Sequence, residues 1–158
     1  MKVAKKKPTK LHELDGDIWD LYIRKQNRGV IVIPTNGSVT REGLAVMGRG
    51  LALDTTNLYP YFRKMFGKKL LDNGNVVQYF SNERIITFPV KSVWYKDAEL
   101  AIIERSCQQL NLMTTAYTFD HIYMPRVGCG NGNLHWNEVK PILEKYLDRR
   151  YTIVWNGK

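Results

Sequence analysis

Three observations on this 158-residue chain predict an α/β fold in which a mixed central sheet lies between two helical layers. Short apolar runs alternate with segments whose apolar residues recur every three or four positions, the patterns of strand and helix in turn. Two of the runs end in glycine-rich loops that lead into helices, as in open sheets that bind ligands at their carboxyl edge. The length suits one domain, able to bury roughly two thirds of its unfolded surface.

Taken in order, residues 10–15 read as a first strand, followed by Gly16-Asp17-Ile18 and a helix to about Lys25 with Ile18, Leu21 and Tyr22 at helical spacing. Residues 29–34 form a second, fully apolar strand ending at Thr35-Asn36-Gly37. A helix is expected over 48–54 and another over 61–66, where Phe62, Met65 and Phe66 supply a core face. Segments 76–80 and 84–88 read as a hairpin around Ser81-Asn82-Glu83. The clearest helix covers 97–112, with Leu100, Ile103, Cys107, Leu110 and Leu112 on its apolar face. A strand at 122–127, a helix from Trp136 to about Leu147 and a strand at 151–155 complete the series. No internal repeat interrupts it.

Residues 1–9 are expected to form a basic tail and 10–158 a single domain. The start lacks the apolar core of a signal peptide and no run approaches ~18 apolar residues, so a cytoplasmic protein with no membrane contact is expected. Two cysteines fit a reducing compartment, and the histidines show no metal-ligand spacing. Neither a metal nor any other cofactor is expected, and the protein should be a monomer. With 24 Lys and Arg against 15 Asp and Glu, the formal net charge is +9. Such a balance favours anionic, phosphate-bearing partners and leaves DNA contact open, through the lysines of the tail or through Arg63, Lys64, Lys68 and Lys69.

The most informative segment runs from Pro125 to Trp136. Its loop Gly128-Cys129-Gly130-Asn131-Gly132 exposes backbone N–H groups on which a diphosphate can rest. Met47-Gly48-Arg49-Gly50-Leu51-Ala52 repeats the arrangement. The Gly-x-Gly of residues 48–50 lacks the third glycine of a dinucleotide fingerprint and no P-loop is present, which argues against a dehydrogenase or an NTPase. Taken together with Gly16-Asp17-Ile18 and Thr35-Asn36-Gly37, the set resembles the macro domain family, whose members bind ADP-ribose. The resemblance spans residues 10–155 and implies a three-layer α/β/α macro domain.

Ile85 to Trp94 resembles the ADP-ribosylglycohydrolase branch of that family, which includes the human terminal ADP-ribose glycohydrolase and bacterial antitoxins that remove ADP-ribose from DNA. The resemblance implies a catalytic role for Lys91, as nucleophile or electrostatic stabiliser; on residue type alone it would be a solvated strand end. It further implies that Asp17 and Ile18 bind adenine and that Trp155 stacks on it. Gly48, Arg49 and Gly50 would meet the distal ribose and phosphates, and Gly128, Cys129, Gly130, Asn131 and Gly132 the diphosphate. Asp17 would equally serve as a helix N-cap and Trp155 as the edge of a core. Gly132 stands where the human member has an aspartate, which leaves Asn36 or a water to assist. The expected function is removal of ADP-ribose from a macromolecule, DNA ahead of protein; a non-catalytic ADP-ribose-binding module and an ADP-ribose 1″-phosphate phosphatase are the alternatives.

Overall fold

The structure is a computed structural model that describes residues 10–24 and 29–156. The expected basic tail and Lys25 lie outside the described residues. Six strands, β1 (His12–Asp15), β2 (Gly29–Asn36), β3 (Gln78–Phe80), β4 (Ile85–Lys91), β5 (His121–Met124) and β6 (Tyr151–Trp155), form one sheet in the order β1-β6-β5-β2-β4-β3. All pairs are parallel except the β3–β4 hairpin. Among the described residues five helices accompany it: α1 (Ile18–Arg24), α2 (Gly50–Leu58), α3 (Phe62–Asn73), α4 (Leu100–Tyr117) and α5 (Trp136–Tyr146).

Strand periodicity separates two cores. Val30 and Val32 of β2 join Ile86, Phe88 and Val90 of β4 in a core completed by α4 and α5. Ile31 and Ile33 point to the other face, where α1, α2 and α3 cover them with Tyr22, Ala52, Phe62, Phe66 and Leu70. Parallel strands buried on both faces read as continuous apolar runs, which is why β2 carries no alternation. The mixed sheet between helical layers is therefore present as expected.

Several boundaries differ from the sequence reading, each for a physical reason. β5 stops at Met124 because Pro125 has no N–H to donate to a ladder. α2 starts at Gly50 rather than Gly48, with Arg49 extended before it and Gly50 at φ +58°. α3 runs on to Asn73 past Gly67, where a side chain would strike the Gly43 carbonyl oxygen at 2.0 Å. Arg63 of the same helix bonds Ala45 O through Nε at 2.9 Å, and Ala45 N–H bonds Arg63 O at 2.9 Å. That member of the middle basic cluster thus pins the loop before α2. Leu112 is 74% exposed, because it lies about 200° around α4 from buried Leu110.

One feature of the ladder opens the site. β2 pairs with β5 only over Gly29–Ile31, while its pairing with β4 continues to Asn36 opposite Lys91, with a bulge after Thr35. Beyond Ile31 the strands β2 and β5 part, and the loops that follow them face each other across a crevice.

Candidate functional site

The crevice has two joined compartments of about 780 and 710 Å³. Leu51, Pro125, Arg126 and Gly130 line both and mark the junction. Asp17, Ile18, Cys129 and Trp155 line the first compartment; Lys91, Asn36, Gly48, Arg49, Gly50, Gly128, Asn131 and Gly132 line the second. Every residue singled out from the sequence thus reaches the same crevice, although elements far apart in the chain deliver them.

In the first compartment a scaffold of ion pairs and rings is already assembled. The Arg126 guanidinium lies 4.2 Å from the Trp155 ring centroid and 5.1 Å from that of Trp136. The Glu13 carboxylate accepts hydrogen bonds from Arg126 at 3.2 Å, the Trp136 indole at 3.1 Å and Lys140 at 2.9 Å. Burial alone would raise the Glu13 carboxyl, but the hydrogen bonds and charges of Lys140 and Arg126 more than offset it and hold it below its ordinary 4.5. Asp17 Oδ1 accepts the Trp19 N–H at 2.9 Å, so this residue does cap α1 while its side chain borders the crevice. Trp19 in turn donates its indole N–H to Asp54 at 3.0 Å. With Arg126 on one face of the Trp155 ring, a stacking base would have to use the other.

The second compartment is built around the end of β4. Lys91 is held at that end by register with Asn36 and by Asn75, whose side-chain amide donates to Lys91 O at 3.1 Å. Among the described residues neither Lys91 nor Arg49 has a salt bridge. Burial first, and the Arg49 charge second, push the Lys91 amine below its ordinary 10.5, with Asp97 acting in the opposite direction. Asn36 is committed to its own loop: its amide donates to Val46 O at 3.1 Å and its Oδ1 accepts the Ser38 N–H at 2.8 Å. The buried Thr35 hydroxyl, by contrast, has no hydrogen-bond partner among the described residues.

The glycines of the 128–132 loop differ in kind. Gly128 has φ +77°, and a methyl there would meet Ile103 at 2.8 Å. At Gly132 it would meet the Gly128 carbonyl oxygen at 2.5 Å and Ala98 at 2.7 Å, so neither an aspartate nor an alanine fits that backbone. Gly130 has open space where a side chain would be. Asp97 is a carboxylate beside the loop and accepts a 2.7 Å hydrogen bond from Asn133. Burial pushes the Cys129 thiol up to about 11, far from a reactive thiolate.

Arg126, Trp136, Asp54, Trp94, Tyr95 and Asp97 also line the crevice and were not singled out as site residues. Arg126 carried the one available signal, its place between the end of β5 and the first glycine of the loop.

The fold is that of a macrodomain. It superposes on the macrodomain of Mycobacterium tuberculosis DarG with a TM-score of 0.71 at 22% identity, covering 92% of this chain and 97% of that one. The macrodomain of Thermus aquaticus DarG gives 0.71 at 24% identity, with 94% and 99% covered. Thermosipho africanus DarTG in complex with ADP-ribose gives 0.70 at 19% identity, with 90% of this chain and 41% of that one covered. In sequence the chain resembles DNA ADP-ribosyl glycohydrolases: it is 28% identical over 107 residues to that of Mycobacterium tuberculosis and 27% over 117 residues to that of Thermus aquaticus. These alignments cover 61% and 66% of this chain but only 30% and 32% of the relatives, so the chain spans about a third of their length. No family model matches the chain.

Proposed function

We propose that this protein is a DNA ADP-ribosyl glycohydrolase that cleaves the bond between ADP-ribose and a DNA base. The observation that carries this reading is Lys91, a lysine with no salt bridge among the described residues at the end of β4, lining the compartment that adjoins a preassembled nucleotide-sized one. Joined compartments of this size suit an elongated dinucleotide-like ligand. Adenine would occupy the first, bounded by Asp17, Ile18 and the face of Trp155 opposite Arg126. The diphosphate would cross the junction at Gly130 and Arg126, near the start of α2, where backbone N–H groups and the guanidinium both favour negative charge. The distal ribose would then lie in the second compartment with its anomeric carbon towards Lys91.

An amine held below its ordinary titration range has a larger neutral fraction at physiological pH than a free lysine. As nucleophile, Lys91 would bond to the anomeric carbon while the base leaves with the glycosidic electron pair and takes up a proton; water then releases the sugar and returns the amine. As an ammonium it would instead stabilise charge on the leaving group. In either route one water is consumed, and the products are ADP-ribose and unmodified base.

The test is to incubate the protein with ADP-ribosylated single-stranded DNA and, separately, with ADP-ribosylated protein, and to quantify released ADP-ribose by mass spectrometry. Wild type should release it from DNA and Lys91→Ala should not. Release by both variants, or by neither, would remove Lys91 from the reaction. Wild-type release from protein alone would redirect the substrate assignment.

A further inference from the structure

Beyond Lys91 the crevice is bordered by a loop whose two aromatic side chains have no core to fill. Trp94 and Tyr95 are 57% and 68% exposed, and their ring centroids lie 5.6 Å apart at an interplanar angle of 86°. Burying such rings normally contributes to stability, so leaving two adjacent ones in water invites a ligand. The loop itself is firmly held. Trp94 N–H donates to Ser38 Oγ at 3.0 Å, and Gly37 N–H donates to Ser92 O at 3.1 Å. At the far end Ala98 N–H donates to Gly132 O at 2.9 Å, while Asp97 accepts from Asn133 at 2.7 Å. Both neighbouring loops of the crevice therefore fix it, and a rigid surface loses little entropy when a ligand settles on it.

Charge identifies the occupant. Lys91, Lys96 and Arg49 line the same compartment as the two rings, against Asp97 as its acidic side chain. Aromatic faces set among cations match single-stranded nucleic acid, whose bases stack while its phosphates meet the positive groups. An acidic peptide would satisfy the cations but leave flat aromatic surface unused.

Resting on the proposed glycohydrolase reading, we infer that Trp94 and Tyr95, with Lys96, form a stacking subsite for an unpaired base adjoining the ADP-ribosylated nucleotide of a single-stranded DNA. The subsite holds the strand that carries the modification, while the crevice holds the ADP-ribose. It predicts a preference for ADP-ribosylated oligonucleotide over the same modification on a lone nucleotide.

The decisive measurement is equilibrium binding, which does not depend on turnover. Kd is measured for free ADP-ribose, for an ADP-ribosylated single nucleotide, for an ADP-ribosylated single-stranded oligonucleotide and for an ADP-ribosylated peptide, all in the Lys91→Ala background. Trp94→Ala should weaken oligonucleotide binding about tenfold, within the range of one lost base–aromatic stack, and weaken ADP-ribose and the single nucleotide far less. Trp94→Phe should retain most of the affinity. Trp fluorescence of the Lys91→Ala protein should be quenched by the oligonucleotide more than by ADP-ribose. Equal weakening of all ligands by Trp94→Ala, or of none, overturns the subsite, and selective weakening of the peptide assigns it to a protein partner instead. Should wild type fail to release ADP-ribose from DNA while the oligonucleotide-specific loss persists, the glycohydrolase reading fails and the subsite stands.

Discussion

In the Trp155 compartment Arg126 and Lys140 share the single carboxylate of Glu13 and two indole rings flank the guanidinium, whereas in the Lys91 compartment a lysine and an arginine face the same space with no salt bridge among the described residues. The first is assembled before any ligand arrives, which suits recognition of a group that does not change during a reaction. The second keeps two positive charges close together, an arrangement that costs stability until an anionic ligand supplies the missing interaction. Among the described residues a buried polar atom is left without a hydrogen-bond partner both there, at the Thr35 hydroxyl, and at Arg126 Nε, where the two compartments meet. Holding and reacting are thus separated along one crevice.

On that division Lys91→Ala should produce the largest effect. On ADP-ribosylated DNA kcat should fall at least about 10²-fold, the scale of removing one positioned acid, base or electrostatic stabiliser. The Kd for ADP-ribose should change little, because adenine and diphosphate recognition lies elsewhere. Calorimetry and single-turnover kinetics together check both halves of the statement; an affinity loss as large as the rate loss would erase the distinction between the compartments.

At the junction the glycines provide a sharper test. Gly128→Ala places a methyl against Ile103 at a φ of +77° and should cost about 1–3 kcal/mol of stability by denaturant melts. Gly130→Ala meets no protein atom within 4 Å, so its melting should be unaltered while ADP-ribose affinity drops roughly tenfold through a clash with ligand. Unchanged affinity in Gly130→Ala would move the diphosphate away from this loop.

Much of this organisation could be read from the chain itself. β6 is legible to the residue, since Tyr151–Trp155 is an isolated apolar run. The Gly128–Gly132 loop is conspicuous as three glycines in five residues before a helix, but the fold itself requires two of them, Gly128 and Gly132, and only Gly130 is left without a packing reason. What could not be read depended on partners distant in sequence. Arg126 is a clamp only because Glu13, 113 positions earlier, lies on the edge strand β1, with β6 between it and β5. The length of α3 was hidden by Gly67, which breaks the helical pattern locally yet is demanded by the close approach of the Gly43 loop. Trp94 and Tyr95 read the same in sequence whether buried or exposed, and only the fold distinguishes the two.

Glu13 gives a pH test confined to the first compartment. Its folded-state carboxyl titrates below the ordinary 4.5, so its contribution is fully present above that value and is lost as pH falls through the lower, folded one. Glu13→Gln should therefore lower stability by about 1 kcal/mol at neutral pH and flatten the loss of stability on acidification. Thermal melts over the acid range test this. Catalytic turnover at saturating substrate should change less than ADP-ribose affinity, because Glu13 supports Arg126 and not Lys91.

The smallest effect should appear at Arg49, which acts on Lys91 through charge. Burial and the Arg49 guanidinium both lower the lysine's titration, so Arg49→Ala removes one of the two and raises it, while Asp97→Asn removes the opposing influence and lowers it. If the neutral amine is the reacting form, the rate rises with pH until Lys91 is deprotonated. The alkaline limb of kcat should then move to higher pH in Arg49→Ala and to lower pH in Asp97→Asn. If the ammonium is the working form the rate instead falls along that limb, and the two variants still displace it in the same directions. The slope of the limb therefore selects between nucleophile and electrostatic stabiliser, while its displacement shows whether Lys91 is the group being titrated. A limb that neither substitution moves would assign the titration to another group and leave Arg49 as a ligand-binding cation only.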